Sequence, residues 1–488
     1  ARFSRAMASY LFSFVDSLTD GLDSAVANFE TEFDGAIQQL DAGVDLDDLL
    51  EEIGVAGSDE TALLRAYQRL EALSRAQPPA TLHNWVVEGQ VVPAVCSALC
   101  RVESSKLAAG PLARTLNGIY QAIVSTEATP EEIRGFSEQL VRHTENGKAM
   151  VKLLQVEDPE SQTQGLALLR RVYPHTSAML GRHLLSDPAS ISALVQILQE
   201  AGASPWAASE PQEGGRTSAE HGAAALSAEC VQFLRLVTRE DGDVRMIVTF
   251  QDGAEALLAI AAQALSAANS LPGSAEAFWC IAEDACICVR QLAGQGIVAQ
   301  KYMRESGHVV AVTRTLRFVL GILSQLSSLA GSRLEGIAMT LLDIVSTFVE
   351  HASVDAEVRS NARNLIKSAS FVEICCFELL PSQSPSLTLN TRLRGISSLT
   401  AVLAAADEPV LQCLIASGPA SASGLRALDA LVLQLTAPSP RPLRTAADAL
   451  LAAVLGRSGA VREALVQDLT LASGVGSTAA PPSASPPG

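Results

Sequence analysis

The sequence has few aromatic residues and no long hydrophobic run. Phe, Trp and Tyr account for 4% of the 488 residues, although 48% of the residues are hydrophobic. Small and aliphatic residues in this proportion suit closely packed helices and disfavour a β-sandwich or β-barrel. No continuous apolar run approaches the ~18 residues that a membrane-spanning helix requires, so no such helix is predicted.

Basic residues are also scarce. The 35 Lys and Arg stand against 53 Asp and Glu, which gives a formal net charge of −18. Because nucleic-acid binding depends on clustered positive charge, nucleic acid is not expected as a partner. Residues 7–64 contain no Lys or Arg but fourteen Asp and Glu, so this one segment carries most of the net charge.

The motifs of common enzymes and metal sites are missing. The sequence has no GxGxxG loop, Walker loop, HExxH or GxSxG sequence. Its nine cysteines lack zinc-ligand spacing, and we expect them to be buried, reduced thiols. We therefore predict a protein that is not an enzyme and has no cofactor or metal, although residues distant in sequence can still converge into a catalytic site.

The clearest pattern of apolar residues lies in residues 226–261. The first helix predicted there has one apolar face, formed by Leu226, Cys230, Phe233 and Val237. The polar segment 239–243 ends that helix, and further helices are predicted over 244–250 and 254–261. Three short helices cannot bury their apolar faces alone, so this unit requires stacked copies of itself.

Such copies occur along the chain. A shift of 65 residues places Arg170 on Arg235 (235 − 170 = 65), and a shift of 55 places Arg235 on Arg290 (290 − 235 = 55). The turn at Gly253 recurs at Gly307, 54 residues later (307 − 253 = 54). We predict an all-α fold, an armadillo/HEAT-like α-solenoid that forms a right-handed superhelix of about seven three-helix repeats.

Composition divides the chain into three regions. Residues 1–58 are predicted to be an acidic, amphipathic helical segment, and residues 59–471 to be the solenoid. Residues 472–488 are rich in Pro, Ser and Ala, and we expect a disordered tail. Clusters of Gly, Pro and polar residues predict loop insertions in the solenoid at 201–221 and 262–278.

The acidic segment contains a regular apolar stripe. Between residues 7 and 52 the apolar residues follow an 11-residue rhythm, which is typical of a nearly straight helix. This helix could pack against the solenoid, pair with a second copy of itself, or lie at a membrane interface. The absence of Lys and Arg disfavours the membrane, because anionic lipids would repel the acidic face.

Two glycines are predicted to be structural corners. Gly253 and Gly307 follow Asp252 and Ser306 at the same place in two repeats. A backbone with positive φ would explain glycine at both positions, since other residues adopt that conformation at a cost.

A row of arginines is the candidate partner-binding site. Arg170, Arg235 and Arg290 share one register of the long helix, on the side away from its apolar face. In an armadillo stack these helices line the concave face, where the three arginines would attract an acidic partner segment. The alternative is that they form ordinary ion pairs with neighbouring carboxylates such as Glu229 and Asp284.

Two stretches, residues 229–261 and 282–307, resemble the armadillo head of the general vesicular transport factor family, the long Golgi tethers related to the yeast Uso protein. Residues 144–160 and 441–466 are similar to further helices of that head, and the resemblance covers roughly residues 80–470. The residues that match the family's two runs are Leu236, Thr238, Arg239, Ile247, Val248, Phe250, Ala254, Glu255, Leu258 and Ile260, then Glu283, Asp284, Cys286, Val289, Leu292 and Gln300.

The resemblance implies a non-enzymatic vesicle-tethering adaptor in ER-to-Golgi and intra-Golgi traffic. It implies a cytoplasmic protein that is peripheral on Golgi and transport-vesicle membranes and forms a homodimer. The implied partners are a Rab-type small GTPase, SNAREs and a Golgi matrix protein. The alternative is an armadillo-type cargo or nuclear transport adaptor or another interaction scaffold. The binding grooves of transport adaptors carry Trp and Asn ladders, and Trp85, Trp206 and Trp279 share no such register.

Overall fold

The computed structural model describes residues 46–57, 59–87, 91–101, 106–126, 128–156, 158–203, 218–270, 275–325, 331–350, 356–380, 387–415, 427–436 and 440–475. Every regular element in these ranges is a helix, which confirms the predicted all-α class. The chain forms two compact units, residues 1–295 and 296–488. Most of the predicted N-terminal helix, up to residue 45, lies outside the described residues, as does the tail from residue 476.

The first unit contains most of the described helices. They are α1 Leu46–Val55, α2 Glu60–Ala76, α3 Pro79–Val87, α4 Val91–Arg101, α5 Lys106–Ser125, α6 Pro130–Arg142, α7 Thr144–Lys152, α8 Pro159–Ser186, α9 Pro188–Ala203, α10 Ser218–Glu240, α11 Gly242–Phe250, α12 Gly253–Ser270 and α13 Ala275–Ala293. The long α8 is kinked at Thr176 (φ −138°, ψ 19°), two residues after Pro174, so it comprises two successive helices.

The second unit continues the same pattern. Its helices are α14 Ile297–Glu305, α15 His308–Gln325, α16 Gly331–Thr347, α17 Ala356–Lys367, α18 Phe371–Glu373 with a π-helical continuation Ile374–Leu379, α19 Leu389–Ala405, α20 Glu408–Leu411 with a 3-10 continuation Gln412–Leu414, α21 Ala427–Thr436, α22 Arg441–Arg457 and α23 Gly459–Val475.

Long helices of successive repeats pack against one another. In the first unit α2 packs on α5, α5 on α8, α8 on α10 and α10 on α13. In the second unit α16 packs on α19 and α19 on α22. From α5 onward, two other helical segments precede each of these helices, so the described elements group into four repeats in the first unit and three in the second. This agrees with the predicted number of about seven repeats.

The core forms on the faces that the sequence pattern predicts. Leu226, Cys230, Phe233 and Val237 are all buried on α10. The rings of Phe233 and Tyr173 meet edge to face, with their centroids 5.9 Å apart, an arrangement that adds to the packing between α8 and α10.

The cysteines with described side chains are free thiols. Most of them are buried: Cys96, Cys230, Cys286, Cys288, Cys375 and Cys376. Burial raises the pKa of the Cys286 thiol to about 12, with a smaller contribution from the charge of Glu283. Such thiols stay protonated near neutral pH and are poor nucleophiles.

Helix starts also follow local sequence signals. Thr129 caps α6: its hydroxyl accepts from the Glu132 amide at 3.3 Å, and the Glu132 carboxylate accepts from the Thr129 amide at 2.7 Å. Pro130 follows in the first turn, where its missing N–H costs nothing. The residues Thr129 and Pro130 therefore explain why α6 begins where it does.

The loop insertion predicted at 262–278 is wrong for most of its length. α12 continues to Ser270 and α13 begins at Ala275, so only four positions separate the two helices. The segment is rich in Ala, a strong helix former, and buries Ala264 and Leu265. The other predicted insertion, 201–221, is helical at both ends, and residues 204–217 lie outside the described ranges.

Among the described residues, no single helix combines the length and apolar character needed to cross a membrane. Helices α14 and α15, bent by 77° at their junction, meet those two criteria only as a pair.

Candidate protein-interaction surface

Two of the predicted arginines bridge neighbouring repeats. Arg170 on α8 donates from Nε to Glu229 on α10 at 2.7 Å and from Nη2 to the second carboxylate oxygen at 3.1 Å. Arg235 on α10 also pairs with a carboxylate of the next long helix, Asp284 on α13, through its Nη1. The two carboxylates are themselves one repeat apart (284 − 229 = 55). Arg290 lies exposed on α13.

These contacts give the arginine row a structural role. The side chains of Arg170 and Glu229 are 28% and 19% exposed, so the pair is only partly screened by water. A bidentate geometry with partial burial makes such a pair stronger than an ordinary surface ion pair. Ion pairing with neighbouring carboxylates, the alternative to partner binding, therefore occurs at Arg170 and Arg235. Partner binding by the row stays a prediction.

A related cluster of charged side chains, centred on Glu71, was not predicted from the sequence. Glu71 on α2 is only 3% exposed. Arg114 on α5 holds it with two hydrogen bonds, from Nε at 2.8 Å and from Nη2 at 3.0 Å. Arg75 adds a third bond to Glu71 at 2.7 Å. Arg114 also donates to the Ser161 hydroxyl at 2.6 Å, in the first turn of α8. One guanidinium thus connects three successive long helices.

The charge on Arg114 is well supported. Burial lowers the pKa of its guanidinium, but the hydrogen bond and charge of Glu71, with Glu160 and Asp158 nearby, more than compensate and raise it. A signal for this cluster was present in the sequence: Arg114 precedes Arg170 by 56 residues (170 − 114 = 56), close to the repeat spacing. The identity of its carboxylate partner depends on how the helices pack, which spacing alone does not give.

Amide side chains extend the same line of contacts. Asn117 on α5 is buried and bonds to Gln164 and Arg171 on α8. On the next pair of helices, the Thr238 hydroxyl donates to Gln291 at 2.6 Å. The long helices of the first unit are therefore joined by polar side chains as well as by apolar packing, which fixes their register.

The predicted corners differ from one another. Gly307 has φ +82°, as expected. The expectation of positive φ at Gly253 is wrong, because Asp252 adopts that conformation (φ 60°) and Gly253 begins α12. Asp tolerates the left-handed region better than most residues. With this correction the two turns align at the same 55-residue spacing as the arginines (307 − 252 = 55).

Close packing, and not φ, requires glycine at position 253. A Cβ atom there would lie 2.4 Å from Val248 Cγ1 and 2.7 Å from the Val248 carbonyl oxygen. Any side chain at this position would therefore require the backbone of the α11–α12 corner to move.

The part of the chain that the structure describes contains no candidate metal site. No three or more His, Cys, Asp or Glu side chains come together there in a way that could hold an ion.

The fold is that of an armadillo-like α-solenoid. A crystal structure of Uso1-2 is similar to this chain with a TM-score of 0.53 and 15% sequence identity, and the match covers 88% of this chain and 64% of that one. A crystal structure of Uso1-1 gives a TM-score of 0.51 and 15% identity, with coverage of 89% and 66%. The chain thus spans somewhat less than two thirds of the length of these structures. No protein-family model and no curated protein sequence matches it.

Proposed function

We propose that this protein is a vesicle-tethering adaptor in ER-to-Golgi and intra-Golgi traffic. The observation that carries the proposal is the similarity in fold to the Uso1 structures over 88% of the chain. It agrees with the sequence resemblance, whose two main stretches lie on α10–α12 and on α13–α14. In this proposal the protein works in the cytoplasm, peripherally on Golgi and transport-vesicle membranes, and has no catalytic activity.

The proposed partners are a Rab-type GTPase, SNAREs and a Golgi matrix protein, and the protein is proposed to self-associate as a dimer. The row formed by Arg170, Arg235 and Arg290 is the proposed contact for an acidic partner segment. On a chain of net charge −18, the partly exposed guanidinium groups of this row are local exceptions that would steer an acidic segment to one face, in competition with Glu229 and Asp284.

Vesicle capture tests this proposal. Beads coated with the purified chain should retain ER-derived transport vesicles from a budding reaction, and retention should require a Rab-type GTPase loaded with a non-hydrolysable GTP analogue. Beads that retain no more vesicles than albumin-coated beads, in either nucleotide state, would rule out tethering.

The arginine row is tested separately in the same assay. The triple variant Arg170→Gln, Arg235→Gln, Arg290→Gln should retain fewer vesicles, with a weaker dependence on salt, because fewer ionic contacts remain to be screened. The matched control replaces three other arginines, Arg134, Arg142 and Arg182, which are exposed on α6 and on the C-terminal half of α8. Equal retention by both variants at low and high salt would remove the row from the binding site and leave tethering itself intact.

A further inference from the structure

A small cavity opens in the first unit between α3, α5 and α6. Its volume is about 150 Å³, enough to accept an aromatic ring. The lining is mostly apolar: Val86, Val87, Ile123 and the Phe136 ring, with His83, Glu132, Gly135 and Gln139 completing it. Val87 is 68% exposed although it is apolar, so part of this lining faces water.

One polar atom of a lining residue has no partner. Gln139 Nε2 donates to the Val86 carbonyl oxygen at 3.3 Å. Gln139 Oε1 is buried, and no described residue donates to it. Since solvent does not reach this oxygen, a ligand can pair with it only if the Gln139 side chain turns towards the cavity, and the N–H or O–H that the ligand brings then satisfies an unfavourable unpaired acceptor.

The same cavity has a negatively charged side chain, Glu132, in its lining. The Glu132 carboxylate accepts from the Thr129 amide at 2.7 Å and from its hydroxyl at 3.0 Å. These hydrogen bonds lower the pKa of Glu132, so it stays ionised. Glu131 is exposed beside it in the first turn of α6, and His83 Nε2 lies 3.8 Å from Glu132. A cationic group on a ligand would therefore be favoured at the cavity.

We propose that this cavity docks a basic segment of a partner protein, which inserts one Trp or Tyr side chain between α3, α5 and α6. The ring fills the apolar space, the Gln139 side chain turns so that its Oε1 accepts from the N–H or O–H of the ring, and a flanking Lys or Arg lies near Glu132. Aromatic anchors in small apolar pockets are the usual centre of such contacts. The site involves none of the three arginines and does not depend on the tethering proposal.

Gly135 allows the cavity to be filled without disturbing the fold. It lines the cavity, and a Cβ atom at this position would meet no atom within 4 Å. Leu is also a far better helix former than Gly, so Gly135→Leu should fold at least as well as the wild type. Gly118 on α5 is exposed, equally open around its Cβ position and outside the lining, which makes Gly118→Leu the matched control.

The test uses short peptides and the full chain. Saturation-transfer NMR is recorded with N-acetylated, C-amidated Lys-Trp-Lys, Glu-Trp-Glu and Lys-Ala-Lys. Indole protons of Lys-Trp-Lys should be saturated by the wild type and by Gly118→Leu, and the signal should be lost with Gly135→Leu. Glu-Trp-Glu should bind several-fold more weakly, and Lys-Ala-Lys should give no signal.

A further variant isolates the hydrogen bond. Gln139→Leu should weaken Lys-Trp-Lys about threefold to tenfold and leave Lys-Phe-Lys, which has no donor on its ring, nearly unchanged. The proposal is overturned if the wild type does not saturate the indole protons, if Gly135→Leu saturates them as strongly as Gly118→Leu does, or if the acidic and basic Trp peptides bind equally.

Discussion

Replacing Gly253 by Ala is expected to lower the free energy of unfolding of the first unit by about 1–3 kcal/mol. The added Cβ would lie 2.7 Å from the Val248 carbonyl oxygen, and a backbone atom cannot rotate out of the way. α11 and α12 must therefore move apart at their corner, which weakens the packing of α12 against α9 and α13. Thermal unfolding by circular dichroism measures the loss, and hydrogen exchange in peptides from 242–270 locates it.

The matched control is Gly118→Ala on the exposed face of α5. Its Cβ would meet no atom within 4 Å, so only helix propensity changes, and stability should rise by about 0.5–1 kcal/mol. The two substitutions are chemically identical and should have effects of opposite sign. If Gly253→Ala melts at or above the temperature of the wild type, the close approach to Val248 is not a constraint on this corner.

The largest electrostatic effect is expected at Glu71. Glu71→Gln should cost about 2–3 kcal/mol, because it removes the charge that pairs with a largely buried guanidinium. Loss of a fully buried pair would cost more, but the Arg114 side chain is 23% exposed and keeps its bond to Ser161. Denaturant unfolding measures the change in free energy.

Glu138→Gln provides the comparison for Glu71. Glu138 on α6 also pairs with two arginines, Arg134 at 2.8 Å and Arg142 at 3.6 Å, but both lie on its own helix and are exposed. Removing such pairs should cost about 0.3–0.5 kcal/mol each. A double-mutant cycle of Glu71→Gln with Arg114→Gln should show strong coupling. Equal losses for Glu71→Gln and Glu138→Gln would mean that the Arg114 cluster does not hold the long helices together.

Much of the fold could be read from local sequence, because helical periodicity and capping are local. The apolar spacing from Leu226 to Val237 identified a face that is buried, and Thr129-Pro130 marked the start of α6. The prediction of a loop over 262–278 was wrong because the Gly and Pro within 271–274 were taken to interrupt a longer segment than they do. The Ala-rich residues before them continue the helix.

The candidate sites were harder to predict because their properties arise between repeats. Periodicity places Arg235 on a polar side of α10, and the sequence offers Glu229 and Asp284 as candidate partners of the row. Which arginine pairs with which carboxylate follows only from the packing of the long helices. The positive φ of Asp252 could not be assigned from sequence, since the neighbouring glycine is the more usual residue in that conformation. The cavity at Gln139 likewise depends on how α3, α5 and α6 pack against one another, and no sequence motif marks it.

We propose that this armadillo-like protein is a tethering adaptor that recognises an active Rab-type GTPase. Biolayer interferometry with the immobilised chain tests it most directly, with one GTPase of the ER-to-Golgi step prepared in two nucleotide states. We expect binding of the form loaded with a non-hydrolysable GTP analogue at least tenfold tighter than binding of the GDP form. Equal affinity for the two forms, or no binding of either, would contradict the account.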